Sequence, residues 1–166
     1  MAEAKSYGRL VRPAAPIAAD ALQKGERLVG LGFRCWLSGY QNRTISSWEN
    51  CWTHYCRELG SRNARVAMTD LSNWVDSVRC HALRDIELCA YECPSFCDDE
   101  KLAISLIAAS AHGGCPALRA CAAALLGTEQ VEPVLKTAAH FAITLETSGV
   151  TFAPARTPHE LAAAAM

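Results

Sequence analysis

Residues 63–92 have the sequence NARVAMTDLSNWVDSVRCHALRDIELCAYE, and the spacing of their apolar side chains indicates the fold class. No glycine or proline interrupts this stretch. Apolar residues recur every three or four positions, as on one face of an α-helix: Met68, Leu71, Val75, Val78, Ala82, Ile86 and Cys89. The pattern predicts one long amphipathic helix packed against neighbours in a bundle. Pro94 is expected to end it, because the residue before a proline avoids helical backbone angles.

The segment before this stretch predicts a second helix. Ser46 and Glu49 are spaced as in a capping box, in which each side chain accepts a backbone hydrogen bond at the helix start. One face of this helix would carry the apolar residues Trp48, Trp52, Tyr55 and Leu59. Gly60 is expected to end it.

Further upstream, the sequence predicts a helix that begins at Pro16, a residue that suits the first helical position. Its glycines include Gly25, Gly30 and Gly32. Each glycine weakens a helix by about 1 kcal/mol relative to alanine. We therefore expect this helix to be imperfect or broken near Gly30.

Three more helices are predicted after Pro94. One begins at Cys97 or Asp98, and its segment 102–111 is apolar on nearly all sides, which places it in the middle of the core. Pro116 begins the next, which Gly127 ends, and the last runs to about Thr147. The chain is thus predicted to be all-α, a compact antiparallel bundle of five or six helices. We expect a flexible arm at 1–15, one domain at 16–149 and a C-terminal tail at 150–166.

Charge and composition narrow the function classes. The chain has 16 basic and 17 acidic residues of 166, and no basic stripe stands out, which argues against nucleic acid and membrane surfaces as partners. No apolar run is long enough for a bilayer span, and no apolar segment of a secretory signal follows the basic residues near the N-terminus. We therefore expect a cytoplasmic protein whose nine cysteines are reduced.

Three cysteines form the strongest candidate site for chemistry. Cys89, Cys93 and Cys97 recur every four residues around Pro94, at a predicted corner between helices. Zinc and iron–sulfur centres use four ligands, usually thiolate or imidazole, and the fourth could be Cys80, His81, His112 or Cys115. Cys115 is our candidate fourth ligand. Two alternatives remain open, namely reversible thiol oxidation and reduced cysteines that only fill the corner.

Aromatic residues form a second candidate site. Trp48, Trp52, Tyr55 and Trp74 lie at helical spacing, and aromatic side chains dominate the energetics of protein interfaces. The same spacing is also typical of a helical core, and a ligand pocket is the third alternative. As a site hypothesis, these residues form an interface with a protein partner, which would be a second copy of the chain.

The sequence contains no recognisable catalytic motif, phosphate-binding loop or cofactor motif. An enzyme would have to use polar residues to which no roles can be assigned: Arg34, Tyr40, Arg43, Glu49 and His54. The leading hypothesis is therefore a non-enzymatic interaction or regulatory module that self-associates, its long helix offering an apolar stripe beyond the core. The alternative is a metal-binding or thiol-redox-responsive protein that uses the Cys89, Cys93 and Cys97 cluster.

Overall fold

The computed structural model describes residues 23–113, 116–153 and 158–163, and these residues are helical with no β-strand. Six helices have ten residues or more, and a seventh has six. They are α1 (Lys24–Asn42), α2 (Ile45–Leu59), α3 (Ser61–His81), α4 (Asp98–Ala111), α5 (Ala117–Leu126), α6 (Glu132–Thr147) and α7 (Pro158–Ala163). They pack on one another as a compact bundle, which confirms the predicted fold class.

Helix α4 lies at the centre of the bundle, as its apolar sequence predicts. It packs against α1, α5 and α6, and ten of its 14 residues are buried. Around it, α3 and α6 pack through a stack of the Trp74 and Phe141 rings, whose centroids are 5.6 Å apart. The Phe33 ring of α1 packs on the Trp74 ring at 5.3 Å. These contacts join the helices into one hydrophobic core.

The prediction of one helix over residues 63–92 is wrong. α3 ends at His81, where Ala82 takes an extended conformation, and residues 82–97 form an irregular connection that we call the α3–α4 loop. Ile86 and Leu88 are buried while Asp85 and Glu87 are exposed, so the apolar side chains now alternate as in extended backbone. A short apolar run such as the one in this loop fits both the helical and the extended periodicity. Contacts of the loop with α4 and α5 favour the extended conformation here.

The predicted break in the first helix near Gly30 is also wrong, since α1 is continuous from Lys24 to Asn42. The glycines allow close packing instead. A Cβ at Gly30 would lie 2.5 Å from the Phe96 ring, and one at Gly32 would collide with the Tyr55 hydroxyl. The helix keeps these glycines because large side chains occupy the space where their Cβ atoms would be. The predicted start at Pro16 lies outside the described residues.

Two helix starts differ in how they are capped. α2 begins at Ile45 after Thr44, and no side chain caps it, so the predicted capping box of Ser46 and Glu49 is wrong. α4 begins at Asp98 after Cys97, as predicted, and here the Glu100 carboxylate accepts the Cys97 N–H at 2.9 Å. The expected ends hold at Gly60 and at Gly127, whose positive φ of 69° suits glycine.

The segment after α6 packs against the bundle in its described part. Val150 and Phe152 are buried, and the Ala153 N–H donates to Glu26 of α1 at 3.0 Å. The predicted arm at 1–15 lies outside the described residues, as do parts of the predicted tail. Among the helices in these ranges, none combines the length and the hydropathy that a bilayer span requires.

Candidate thiol site

The α3–α4 loop is anchored by a buried ion pair between α1 and α4. Arg34 is 1% exposed and Glu100 is fully buried. The guanidinium Nε donates to Oε1 of Glu100 at 2.7 Å, and Nη2 donates to Oε2 at 2.9 Å. Such bidentate pairs have both strength and directionality. Burial alone would lower the pKa of Arg34, but its bonds to Glu100 and the Glu100 charge outweigh burial and raise it, so the guanidinium stays protonated.

Arg34 also binds the backbone of the loop. Nη1 donates to the carbonyl of Cys93 at 2.9 Å, and Nη2 donates to that of Ser95 at 2.6 Å. The Phe96 ring lies under the guanidinium, with its centroid 4.9 Å from Cζ. An arginine has five N–H donors and a flat cationic face, so one residue can fix several loop carbonyls.

Glu100 binds the loop from the other side. Its Oε1 accepts the backbone N–H of Cys89 at 3.2 Å, and its Oε2 accepts that of Cys97 at 2.9 Å. Together with the two bonds from Arg34, each carboxylate oxygen thus accepts two hydrogen bonds. A buried carboxylate is tolerated when its acceptor sites are filled in this way.

A second acid of α4 holds the beginning of the loop. Arg84 forms an ion pair with Asp99, which also accepts the Glu87 N–H at 2.7 Å. Nε of Arg84 donates to the Ala124 carbonyl at 3.0 Å near the end of α5. The loop therefore depends on two adjacent acidic side chains in the first turn of α4. The helix dipole favours acidic residues at that position.

Cys89 and Cys93 lie on the two sides of a turn in this loop. The Cys93 N–H donates to the Ala90 carbonyl at 3.0 Å, which closes the turn over residues 90–93. The interaction of the two thiols raises the pKa of Cys89 and lowers that of Cys93. Cys89 is 3% exposed, whereas Cys93 is half-buried and reachable from solvent.

The two thiols differ in acidity. Burial, helped by the Glu100 charge, raises the pKa of Cys89 to about 12. The pKa of Cys93 is lowered, chiefly by the Ser95 hydroxyl at 3.5 Å from its sulfur, with the Cys89 thiol and the Arg34 charge adding to the effect. Since the thiolate is the nucleophilic form, Cys93 is the more reactive member of the pair.

The third thiol of the cluster is engaged elsewhere. The Cys97 Sγ donates to the Glu87 carbonyl at 3.1 Å, and burial raises the pKa of Cys97. Ligand atoms of Cys89, Cys97 and Glu100 lie within 4.8 Å of one another, and Cys93 is outside that group. The candidate fourth metal ligand, Cys115, lies outside the described residues.

This group does not fit a metal ion well. Both Glu100 oxygens already accept two hydrogen bonds each, and the Arg34 cation lies against the carboxylate. The Cys97 thiol is also already engaged, since it donates to the Glu87 carbonyl. The alternative ligands lie apart: Cys80 and His81 are exposed at the end of α3, and His112 bonds to carbonyls of residues 152 and 153.

Comparison of the chain with protein-family models, with curated proteins and with solved structures found no match. Its function must therefore be argued from the geometry of this site.

The four aromatic residues predicted as an interface do not share one surface. Tyr55 and Trp74 are fully buried in the core, and the Tyr55 hydroxyl donates to the Leu28 carbonyl at 3.0 Å. Trp48 is half-buried, and its Nε1 donates to the Trp36 carbonyl at 3.2 Å. Trp52 is exposed by 38%. An interface role thus stays a prediction, with Trp52 as its exposed member.

Arg34 and Glu100 organise the site, although no sequence motif indicates a role for either residue. Arg34 was only one of several polar candidates. A signal was present, because Arg34 is the one charged residue in the apolar segment 28–37, which implies a buried charge with a partner. The acidic run Asp98–Glu100 suggested only a helix start. Neither pattern indicates that the partner of Arg34 lies far along the chain.

Proposed function

We propose that this protein is a thiol-redox-responsive helical protein in which Cys89 and Cys93 form a reversible disulfide. The observation that carries the proposal is the asymmetry of the pair across one turn. Cys93 is accessible and has a lowered pKa, while Cys89, on the other side of the turn, is buried and has a raised pKa. An accessible attacking thiol with an adjacent resolving thiol is typical of redox-sensitive sites.

The oxidant in this proposal is a low-molecular-weight disulfide, RSSR. The Cys93 thiolate attacks one sulfur of RSSR, which forms a mixed disulfide and releases RS⁻. Cys89 then loses its proton and attacks the Cys93 sulfur, which forms the Cys89–Cys93 bond and releases the second RS⁻. The two protons of the dithiol end on the two released thiols. The protein loses two electrons, and RSSR gains them.

The resting state is the dithiol, which requires a reducing compartment such as the cytoplasm. Cys93 is the attacking residue because Ser95 and Arg34 favour its thiolate and solvent reaches it. Cys89 is the resolving residue because it becomes reactive only when a disulfide is already formed beside it. The turn over residues 90–93 places the two cysteines on either side of it, which favours their reaction with each other.

Incubation with oxidised glutathione, followed by mass spectrometry of the digested protein, tests the proposal. A protease that cleaves after glutamate separates Cys89 from Cys93, because Glu92 lies between them. We expect the peptides 88–92 and 93–100 to remain joined after oxidation and to separate after reduction. Fragmentation then assigns the bond to Cys93 or to Cys97.

Two variants trap the individual steps. Cys89→Ser should accumulate a glutathione adduct on Cys93, because the resolving thiol is missing. Cys93→Ser should form neither the adduct nor the internal bond at the same rate. Cys80→Ser, which removes an exposed cysteine of α3, is the matched control and should behave as the unmodified protein. A bond between Cys89 and Cys97, or the lack of any adduct in Cys89→Ser, would contradict the proposal.

Self-association as an interaction module is the second candidate function. Two of the exposed large apolar side chains, Ile45 at 67% and Trp52 at 38%, lie seven residues apart on α2 and so share one face. The projecting end of a 63–92 helix no longer supports this candidate, because α3 ends at His81. Light scattering at micromolar concentration should show a dimer that Trp52→Ser dissociates. If the unmodified protein and Trp52→Ser were both strictly monomeric, this candidate function would be rejected.

A further inference from the structure

We infer that oxidation of the Cys89–Cys93 pair releases the α3–α4 loop from the bundle and uncovers two further thiols, Cys35 and Cys51. This inference rests on the proposed function and names what the disulfide would regulate.

The backbone of both cysteines is bonded to the same buried ion pair. The Cys89 N–H donates to Oε1 of Glu100, and the Cys93 carbonyl accepts from Nη1 of Arg34. The next bond along the loop, from Nη2 of Arg34 to the Ser95 carbonyl, lies two residues away. Any movement of the backbone at Cys89 or Cys93 therefore acts directly on the charged groups that anchor the loop.

A disulfide imposes such a movement. The two sulfurs must approach to about 2 Å, with a torsion angle near 90° about their bond. Two thiols in non-bonded contact are farther apart, so closing the bond draws the two sides of the turn together. Hydrogen bonds weaken steeply with distance and angle, and the bonds to Arg34 and Glu100 are on the residues that move. A buried charge that loses its partners favours exposure to water.

Few other bonds would keep the loop in place. Within the described residues, one hydrogen bond between two backbone groups joins its interior to another element, from the Leu83 N–H to the Leu126 carbonyl. That bond and the Arg84–Asp99 pair hold the first part of the loop. The part that contains the two cysteines depends on Arg34, on Glu100 and on burial of Phe96. Oxidation should thus release the second part selectively.

Tyr91, in the turn between the two cysteines, is 49% exposed and lines a small cavity between α1 and α2. The cavity is also lined by Cys35, Cys51 and His54, and it has about 20 Å³ of space, room for about one water molecule. Cys35 is 3% exposed and Cys51 is 1% exposed. Burial raises the pKa of Cys35 to about 11 and that of Cys51 further. In the dithiol state both thiols are therefore buried and protonated.

Alkylation with N-ethylmaleimide, measured separately for each cysteine by mass spectrometry, tests the inference on the full chain. We expect oxidised glutathione to raise the labelling rates of Cys35 and Cys51 at least about tenfold, a difference of about 1.4 kcal/mol in opening free energy. The rate for the exposed Cys80 should not change. In Cys93→Ser, the same treatment should leave Cys35 and Cys51 protected. The variant Tyr91→Gly should label Cys51 faster without any oxidant.

The outcomes separate the inference from the proposed function. If the Cys89–Cys93 bond forms while Cys35 and Cys51 stay protected, the inference is overturned and the proposed function stands. If the bond does not form, both are overturned. Amide exchange of α6 distinguishes local release from global unfolding: protection of α6 should persist, and its loss on oxidation would overturn the inference.

Discussion

The contact between α3 and α6 and the corner between the α3–α4 loop and α4 each contain fully buried side chains, but different interactions stabilise them. Between α3 and α6, the Trp74 ring stacks on Phe141, and apolar area removed from water supplies the free energy. At the corner, Glu100 is as inaccessible as Trp74, yet it is a charge whose partners are one guanidinium and two backbone N–H groups.

The difference lies in how each region responds to change. Apolar packing is non-directional, so a small displacement loses only part of its stabilisation. A buried ion pair balances a large desolvation penalty against specific bonds, so the loss of one partner leaves most of that penalty uncompensated. The apolar contact therefore gives the bundle its stability, whereas the corner is sensitive to covalent change at residues bonded to the pair.

Removal of the Arg34 cation should have the largest effect. Arg34→Met leaves Glu100 buried without its cation and should lower the free energy of unfolding by about 4 kcal/mol, as measured by urea denaturation. Arg34→Met combined with Glu100→Leu should recover much of that loss, because both charges are then absent. Arg119→Met, in the exposed pair with Glu132, is the control and should change stability by about 0.5 kcal/mol or less. Equal effects of Arg34→Met and Arg119→Met would remove the contrast between the two regions.

Truncation in the apolar core should have the next largest effect. Leu71 of α3 is fully buried, and Leu71→Ala should destabilise the protein by about 3 kcal/mol in the same assay, because a cavity remains. Unlike the loss of Arg34, this change should leave the rate of Cys93 alkylation unaltered. A marked change in that rate would show that the apolar core and the corner do not respond independently to substitution.

Overpacking between α1 and the loop should have a smaller effect. Gly30→Ala places a methyl group 2.5 Å from the Phe96 ring and should destabilise the protein by about 2 kcal/mol. Because Phe96 lies against Arg34, this change should also increase amide exchange in residues 89–97. Gly60→Ala is not a suitable control for overpacking, because Gly60 has a positive φ of 78° and alanine would be strained there for a different reason. If Gly30→Ala did not change the free energy of unfolding, close packing would not explain why residue 30 is glycine.

The smallest change in stability is expected from Ser95→Ala, whose effect appears in reactivity. The pKa of Cys93 is lower in the folded chain than its ordinary value, so its thiolate persists to lower pH. Alkylation of Cys93 should therefore reach half its maximal rate at a lower pH in the native protein than in urea. Ser95→Ala should move that midpoint upward in the native protein only. An unchanged midpoint would show that the Ser95 hydroxyl does not lower the pKa of Cys93.

Much of the bundle could be predicted from local patterns. The start of α4 at Asp98, its burial and the end of α5 at Gly127 follow from helix capping and from apolar side chains on all faces. The end of α3 could not be predicted in this way. The apolar spacing continues to Cys89, and the partners that bind Arg84 just beyond the helix end, Asp99 and Ala124, lie 15 and 40 residues away in sequence.

The candidate site was predicted only in outline. Three cysteines near a helix corner were identifiable, but their spacing does not show that Cys97 bonds to the Glu87 carbonyl while Cys93 faces Cys89. That division depends on Glu100, which binds the N–H groups of Cys89 and Cys97. Hydrogen bonds of this kind depend on position in three dimensions, which side-chain periodicity does not encode.

The amino-acid sequence alone determined that this chain forms an all-α bundle with α4 at its centre, because helix periodicity and helix boundaries depend on residues within a few positions of one another. Tertiary structure decided where α3 ends, why α1 contains glycines and which two thiols face each other. Each of these features depends on groups from separate helices, chiefly Arg34 and Glu100, 66 residues apart along the chain. A buried charge is stable only where folding brings its partner, so only the assembled bundle could define the site.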